Sequence, residues 1–167
     1  PRKLSVHSTE FRPISATFTA TISGLVNGED ANVLGGTLLF NTVADTNSPV
    51  GTYAIEPGGL TATNYALTFS NGTLTVTAFA LTVRADPQSR TYGATNPPLT
   101  GTLTGVQNGD HLTATFDTLA DTNSPVGAYP ITPSIADPDG KLGNYSVLTN
   151  LGTLTVTNGS RLQNNLA

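Results

Sequence analysis

Histidine, cysteine and clustered carboxylates carry most protein chemistry, and this chain of 167 residues offers few of them. It contains no cysteine, which excludes thiol catalysis, disulfides and thiolate metal sites. Its two histidines, His7 and His111, stand in unlike surroundings, and a repeated motif that places His111 in one copy has Asp30 in the other. A Ser/His/Asp arrangement could assemble only from distant positions. We therefore expect no enzymatic activity and no catalytic residue.

The best candidate for a metal site is the stretch around Asp137 and Asp139. Two carboxylates two residues apart and followed by glycine resemble half of a calcium loop, since Ca²⁺ takes about six to eight oxygen ligands. However, no terminal glutamate follows, Pro138 interrupts the run and Lys141 adds a positive charge. Asp-Pro-Asp-Gly is also a good turn sequence. We interpret it as a turn, and expect no metal, no cofactor and a stability indifferent to chelators.

Two further sets of polar residues have simple structural explanations. Asp45 and Asp121 begin two copies of Asp-Thr-Asn-Ser-Pro, for which Asx turns are a sufficient reading. A spontaneous lysine cross-link, of the kind known in some adhesin domains, needs a buried lysine beside an acid. Lys3 stands at the start of the chain and Lys141 in a predicted loop, so we expect no such bond.

Five tyrosines could in principle form a platform on which sugar rings stack: Tyr53, Tyr65, Tyr92, Tyr129 and Tyr145. Four of them recur as pairs between two copies of one pattern, in or beside predicted strands. A paired tyrosine of a repeat is more often a packing anchor whose hydroxyl reaches a backbone carbonyl. Packing is therefore the first interpretation of these residues, and carbohydrate binding is the alternative.

The elements that position these residues are repeated. ADTNSPVGTYAI (44–55) recurs as ADTNSPVGAYPI (120–131), and an Asn-Tyr pair followed by GTLTVT recurs with its last strand at 72–77 and 152–157. An internal repeat indicates two copies of one supersecondary unit. The spacing between the copies changes along the chain, so copy one carries extra residues near 34–41 and copy two near 135–141. Such insertions are typical of surface loops.

Composition indicates a β protein that does not bind nucleic acid. Only 11% of the residues are charged, the net charge is −4, and Gly and Pro number 17 and 11. Short runs of Thr, Val, Ile and aromatic residues between Gly, Pro and Asn are typical of strands and turns. Phosphate binding needs clustered Lys and Arg, and here they are scattered. No apolar run reaches the ~18 residues of a membrane helix, so we expect no membrane insertion.

Alternation fixes the faces of several predicted strands. Leu74 and Val76 in copy one, and Leu154 and Val156 in copy two, should point inward, with Thr155 and its counterparts outward. Further strands are predicted around the apolar residues of each copy: Leu4 and Val6, Phe18 to Ile22, Tyr53 and Ile55, Leu81 and Val83, Leu99 and Leu103, and Tyr129 and Ile131. Asn71-Gly72 predicts a hairpin turn.

One segment of each copy does not read as a strand. Residues 27–36, NGEDANVLGG, carry a capping Asn, early acids and late glycines, which predicts a helix of about two turns. Copy two keeps Asn108-Gly109-Asp110 and then returns to β-type residues, which leaves room for about one turn. We expect one short helical turn per repeat, clearer in the first.

The motifs of copy two closely resemble the YGX-type MBG repeats of bacteria. The resemblance rests on Tyr92-Gly93 followed by Asn96-Pro97, the turn at 105–110, the Ser-Pro-Val-Gly-x-Tyr strand and the terminal GTLTVT. It implies small Ig-like or β-grasp-like modules, strung together in very large exported adhesins and haemagglutinin-like exoproteins. The resemblance covers nearly all of 78–157 and, in copy one, about 18–77.

The expected organisation is therefore two tandem repeats, mainly β. Repeat one spans 1–77, with an atypical opening at 1–15 that lacks Tyr-Gly and Asn-Pro, repeat two spans 78–157, and 158–167 form a tail. The near-absent linker, with Phe79 at the junction, predicts end-to-end packing into a semi-rigid rod. The chain opens inside an array, so we expect a longer parent protein.

The function that this organisation favours is structural. We expect a non-catalytic spacer module at the cell surface or outside a bacterium, which extends or presents a distal binding region of an adhesin. Its partners would be neighbouring repeats of the parent protein. The alternative is a module that binds a glycan or a host surface protein.

Overall fold

A computed structural model of the chain describes residues 2–9 and 17–159; of 2–9 it describes the backbone and, at Ser5, the exposed side chain. The chain divides into two compact units, Pro1–Thr77 and Ala78–Ala167. Both are mainly β, and their described helices are lone 3-10 turns, as the sequence predicted for the fold class. None of these described helices is long or apolar enough to span a membrane.

The described strands of the first unit form two three-stranded sheets. Its strands are β1 (Arg2–Thr9), β2 (Thr19–Ser23), β3 (Gly35–Asn41), β4 (Gly51–Thr61), β5 (Tyr65–Ser70) and β6 (Gly72–Val76). The strand orders are β2-β1-β5 and β3-β4-β6. Strand β1 pairs antiparallel with β2 and parallel with β5, whereas the pairs within the second sheet are antiparallel.

The second unit repeats this plan with one more described strand. Its strands are β7 (Phe79–Ala85), β8 (Gln88–Thr91), β9 (Gly101–Thr104), β10 (Thr113–Asp117), β11 (Gly127–Ala136), β12 (Tyr145–Asn150) and β13 (Gly152–Thr157). The sheets have the orders β12-β7-β9 and β10-β11-β13-β8. The parallel pairs are β7 with β12 and β8 with β13.

The core of the second unit lies between its two sheets. Ala85 of β7 packs with Ile131 and Leu154 of the opposite sheet. Farther along, Leu81 and Tyr145 form a second cluster against which Ile135 of β11 packs. Both clusters draw on both sheets, as in a β-sandwich. No described helix exceeds a single turn, so none of them covers a sheet.

Each unit has one long strand that changes partner halfway. In β11, residues 127–131 pair with β13 and residues 132–136 pair with β10. Each half of β11 is therefore bonded along one edge only. Proline has no N–H to donate, so it does not fit a strand that is paired along both edges. Because each half of β11 is paired along one edge only, the strand accommodates Pro130 and Pro133. Strand β4 divides its pairing between β6 and β3 in the same way.

The predicted alternation at the last strand of each repeat is confirmed. Leu154 and Val156 are buried and Thr155 is exposed. In β6, Leu74 and Val76 keep the same phase but are only half-buried. The period of two fixed the faces correctly, because successive side chains of a strand point to opposite sides.

The predicted helix at residues 27–36 is wrong in extent and start. Asn27 and Gly28 have φ of 58° and 73°, the left-handed pair of a type I′ turn, and the N–H of Glu29 donates to the carbonyl of Val26 at 3.0 Å. Asn27 therefore turns the chain instead of capping a helix. A single 3-10 turn follows at Ala31–Val33, capped by the Asp30 carboxylate.

In the second repeat the same type I′ turn recurs, with φ of 54° at Asn108 and 71° at Gly109, and no helical turn follows before β10. The 3-10 turn of this unit lies instead at Leu142–Asn144, where no helical turn was predicted. The predicted position was wrong, since β10 begins at Thr113 and the three residues between Gly109 and this strand form no helical turn.

The predicted hairpin at Asn71-Gly72 is also wrong. Only Asn71 separates β5 from β6, which begins at Gly72, and the two strands belong to different sheets, β5 beside β1 and β6 beside β4. Neither residue has the positive φ of a type I′ turn. Pairing with distant strands overrides the local turn signal here. Leu99, predicted within a strand with Leu103, precedes β9 and packs against the core.

Candidate functional site

The sequence-predicted catalytic and metal candidates do not come together. His111 Nδ1 lies 2.7 Å from Asp139 Oδ2, with the two side chains 79% and 45% exposed, so this is a solvent-exposed pair. His7 has its side chain outside the described residues. Within the described ranges, no group of three His, Asp, Glu or Cys side chains lies close enough to hold a metal ion. Independence from chelators stays a prediction.

Asp137 is occupied by its own loop. Its Oδ1 accepts from the N–H of Lys141 and its Oδ2 from the N–H of Leu142, both at 2.8 Å. These backbone bonds, Leu142 first, lower the pKa of Asp137 from its ordinary 3.8. The carboxylate organises the turn that the sequence predicted. Lys141 is half-buried, and Lys3, the other lysine considered for a cross-link, has its side chain outside the described residues.

The Asx turns predicted at Asp45 and Asp121 are confirmed. In each, the carboxylate accepts from the N–H two residues later, at 2.9 Å from Asn47 and 3.0 Å from Asn123. The following serine, Ser48 or Ser124, closes the loop in both directions: its hydroxyl donates to the carboxylate and accepts from the aspartate N–H. We call these segments, 45–48 and 121–124, the Asx loops.

The first tyrosine pair fastens the end of each Asx loop. Tyr53 donates its hydroxyl hydrogen to the carbonyl of Pro49 at 2.7 Å, and Tyr129 donates to the carbonyl of Pro125 at 2.8 Å. The sequence predicted such a hydroxyl–carbonyl anchor for paired tyrosines, and both anchors are confirmed. The bond spans four residues, so it holds the chain where it enters the long strand.

The second pair reaches farther and acts as a pin between strand and loop. Tyr145 donates to Asp110 Oδ2 at 2.6 Å and accepts from the N–H of Gln107 at 2.9 Å. In repeat one Tyr65 donates to Glu29 and accepts from the N–H of Val26. Each pin joins a strand of one sheet to the type I′ turn. Burial, with the bond to Asp110, raises the pKa of Tyr145.

The tyrosines therefore do not assemble a sugar platform. Tyr65 and Tyr145 are 8% exposed, and the hydroxyls of Tyr53 and Tyr129 are held by carbonyls of their own repeats. Tyr92 is the most exposed of the five at 57%. A single exposed ring does not make the aromatic pair that stacking on a glycan would call for.

A buried arginine is the element that the sequence analysis missed. Arg90, on β8, is 7% exposed. Its Nε donates to Asn96 Oδ1 at 2.6 Å, Nη1 to the Thr91 carbonyl at 3.2 Å, and Nη2 to the carbonyl of Asp121. Asn96 in turn donates to the carbonyl of Ala120 at 2.6 Å.

These bonds tie the loop after β8 to the second Asx loop through neutral oxygens. A buried guanidinium needs such partners, because an unpaired charge is costly away from water. The Asn of the Tyr-Gly/Asn-Pro motif follows Arg90 closely enough in the sequence for an arginine side chain to reach it. This spacing could have identified Arg90 from the sequence.

The first and last segments of the second unit pair in parallel in two parts, one in each sheet, which we together call the parallel ladder. Residues 79–84 pair with 145–150, and residues 88–91 pair with 154–157. The offset is 66 in both parts, so the two segments run side by side across both sheets. Tyr92 extends the ladder, since its N–H donates to the carbonyl of Thr157 at 2.8 Å.

The core contacts show that the two parts of the ladder continue in the same direction where the chain passes from one sheet to the other. Leu81 lies in the cluster with Ile135, and Ala85 lies in the cluster with Ile131. Gly127, still farther along β11, pairs with Val156 of β13, and Val156 is the ladder partner of Arg90. Position along β11 thus advances in one direction from the start of the ladder to its end. The first and last strand residues of the unit lie at opposite ends of it.

Comparison with known families adds one match. The family model for the MBG domain (YGX type) matches the chain twice, over residues 11–75 and 81–155. Searches of curated proteins and of solved structures found no match.

Proposed function

Because the chain belongs to the YGX-type MBG domain family, we propose that it is a load-bearing, non-catalytic spacer of a bacterial surface or secreted adhesin. Its role would be to extend or present a distal binding region, with neighbouring repeats as its partners. The family match supports a repeat module of surface proteins. The mechanical role rests on the geometry of the second unit.

The observation that carries the proposal is the parallel ladder in its two parts, residues 79–84 with 145–150 and residues 88–91 with 154–157. The unit is entered at Phe79 and left after Thr157, which lie at opposite ends of this ladder. Tension between the two ends therefore slides one segment along the other. Loaded in this shear direction, the ladder hydrogen bonds resist together, whereas peeling from one end would break them one after another.

Side-chain pins support the same role. Arg90 holds β8 to the second Asx loop, and Tyr145 holds β12 to the type I′ turn. Both members of the ladder are thus fastened to loops of their own unit. A spacer needs loops that stay closed under tension, and these bonds close them without disulfides, which the chain cannot form.

Single-molecule pulling tests the proposal, and the absence of cysteine makes the pulling points selectable. In the full chain, Ala78→Cys with Asn158→Cys loads the ladder in shear. Tyr92→Cys with Asn158→Cys pulls two points at the same end and peels β8 from β13. Forced unfolding is governed by the unfolding rate, so both pairs are compared at one loading rate.

The shear pair should unfold the second unit at a force several-fold higher than the peeling pair. Equal forces in the two directions would overturn the load-bearing proposal. Melting temperatures of the two double-cysteine variants, measured before attachment, serve as the matched control that the substitutions themselves leave the fold intact.

A further inference from the structure

Strand β12 is an edge strand with an unusual degree of exposure. It is the outer member of the sheet β12-β7-β9, and β7 is its only partner among the described strands. Four successive residues, 146–149, are exposed. Val147 is 41% and Leu148 is 58% exposed, and Leu151, just past the strand, is 60% exposed. Exposure on both faces means that neither face of this edge is fully covered.

The strand also lacks the usual protection of a sheet edge. Natural edge strands are guarded by charged residues, proline, bulges or a covering loop. Residues 145–152, Tyr-Ser-Val-Leu-Thr-Asn-Leu-Gly, contain neither a charge nor a proline. The pairing of β12 with β7 is regular through all six residues, without a bulge. Among the described strands only β7 pairs with β12, so its outer edge can take a further strand.

The sequence of β12 is complementary to itself in antiparallel pairing. With Leu148 opposite a second Leu148, Ser146 faces Asn150 and Val147 faces Thr149. On the face of Leu148, leucine meets leucine at the centre and the polar Ser146–Asn150 pairs lie on either side. On the other face each Val147 meets a Thr149, and no like charges oppose each other. Cross-strand pairs of this kind are the unit of sheet stabilisation.

The matching strand of the first repeat, β5, is also an edge strand without charge or proline, but its side chains differ. In β5, Leu67 and Phe69 are half-buried, and the position of Leu148 is taken by Thr68. An outward leucine at the centre of the edge is thus specific to β12. The difference separates an edge with an apolar contact from one that offers only backbone.

We propose that β12 is a self-association surface, which pairs antiparallel with β12 of a second copy of this chain about a two-fold axis at Leu148. A pair of six-residue strands buries less than the roughly 1,200 Å² of a standard interface, so the contact is weak. Repeats arrayed along a longer parent would convert weak contacts into avidity between neighbouring molecules. This inference stands independently of the mechanical proposal.

Sedimentation velocity of the full chain, from about 20 µM to about 1 mM, tests it, since a weak contact populates only by mass action. The wild-type sedimentation coefficient should rise with concentration. Leu148→Lys should remain monomeric, because the two-fold axis places two like charges face to face. Amide resonance broadening in concentrated wild-type samples should be confined to residues 145–151.

Matched variants separate edge pairing from other causes. Thr68→Lys makes the same kind of charge change at the same position of β5 and should self-associate like wild type. Ser146→Lys, on an exposed polar residue, repeats the test if Leu148→Lys unfolds. A wild-type chain that stays monomeric throughout overturns the proposal. So does association that survives in both β12 variants, or that Thr68→Lys abolishes.

Discussion

The two repeats end in the same hexapeptide, Gly-Thr-Leu-Thr-Val-Thr, yet bury it to different degrees. In the second repeat Leu154 and Val156 are 0% and 1% exposed, whereas Leu74 and Val76 in the first are only half-buried. The alternation of faces is the same in both. The local sequence therefore determines which side chains of the strand face inward, and the neighbouring strands determine how deeply these side chains are buried.

The neighbours differ in a definite way. Strand β13 lies between β11 and β8, while β6 pairs with β4 alone among the described strands. The second repeat also places Ala85, Leu99 and Phe116 around Leu154. The first repeat keeps Ile55 at 0% exposure and packs Phe18 against Phe40, with ring centroids 5.9 Å apart.

The largest expected effect is a core truncation made twice in the same hexapeptide. Leu154→Ala should destabilise the second unit by about 3–5 kcal/mol, in the upper range for a buried leucine, because it empties fully buried volume. Leu74→Ala should destabilise the first unit by roughly half as much. Urea unfolding of the full chain, followed by separate NMR resonances of each unit, measures both.

Thr155→Ala is the control for this comparison, since an exposed threonine should matter by no more than about 0.5 kcal/mol. Two results would break the argument. A threonine variant more damaging than Leu154→Ala would show that the strand register is wrong. Equal effects of the two leucine variants would show that the additional burial of Leu154 by the neighbours of β13 adds nothing to stability.

Next in size is the loss of the buried arginine of the second repeat, Arg90. At the offset that aligns β1 with β7, Arg90 corresponds to Pro13, which lies outside the described residues. Arg90→Met should destabilise the second unit by about 2–4 kcal/mol, because it leaves two acceptors, the carbonyl of Asp121 and Oδ1 of Asn96, without their donor.

Arg84→Met provides the matched control, since Arg84 lies in the same unit and is exposed. Arg90→Lys should rescue little, because an ammonium cannot reproduce the three-way fork of the guanidinium. Full rescue by lysine would mean that charge alone matters at this position. The same unfolding assay reads all three variants.

Features set by short spacing were accessible from the sequence. The strand faces follow from a period of two, and the Asx loops follow from Asp and Ser three residues apart. The pins were not accessible as pairs, because Tyr145 and Asp110 are 35 residues apart and Asn96 and Ala120 are 24 apart. Spacing of that length becomes contact only through the topology.

The errors have the same origin. Asn27-Gly28 suits both a helix start and a type I′ turn, and the distant Tyr65 hydroxyl is bonded to the turn form. At Asn71-Gly72 the local sequence favours a hairpin turn, but β5 pairs in parallel with β1 and no hairpin forms. Where two local forms are close in free energy, the partner far along the chain selects one.

The tyrosine pins should have smaller and nearly equal effects in the two repeats. Tyr145→Phe and Tyr65→Phe each remove a hydroxyl that bonds a carboxylate and a backbone N–H, and each should destabilise its own unit by about 1–2 kcal/mol. Tyr92→Phe, at an exposed tyrosine, is the control and should be close to neutral. A pin that matters in one repeat only would mean that the two are not equivalent.

Alkaline pH should sharpen the Tyr145 result. Because the folded-state pKa of Tyr145 lies above its ordinary 10.0, its stabilising contribution is present below about pH 10 and is lost as the pH rises through the folded pKa. The difference in stability between wild type and Tyr145→Phe should therefore shrink above pH 10. A difference that grows there would show that the neutral hydroxyl is not the bonded form.

The smallest effect is expected at the loop that only the second repeat has. Residues 137–144 join β11 to β12, where the first repeat uses 62–64. Backbone donors lower the pKa of Asp137 below 3.8, so its contribution to stability is present above that pH and is lost as the pH falls through the folded pKa.

Asp137→Asn keeps one acceptor oxygen and loses the charge. Its deficit against wild type should be modest at neutral pH and should close as the pH falls through the folded pKa of Asp137. The first unit, measured in the same samples, has no such loop and should not respond to the substitution at any pH. A deficit in the second unit that stays constant down to the acid limit would show that shape, and not the ionised carboxylate, holds this turn.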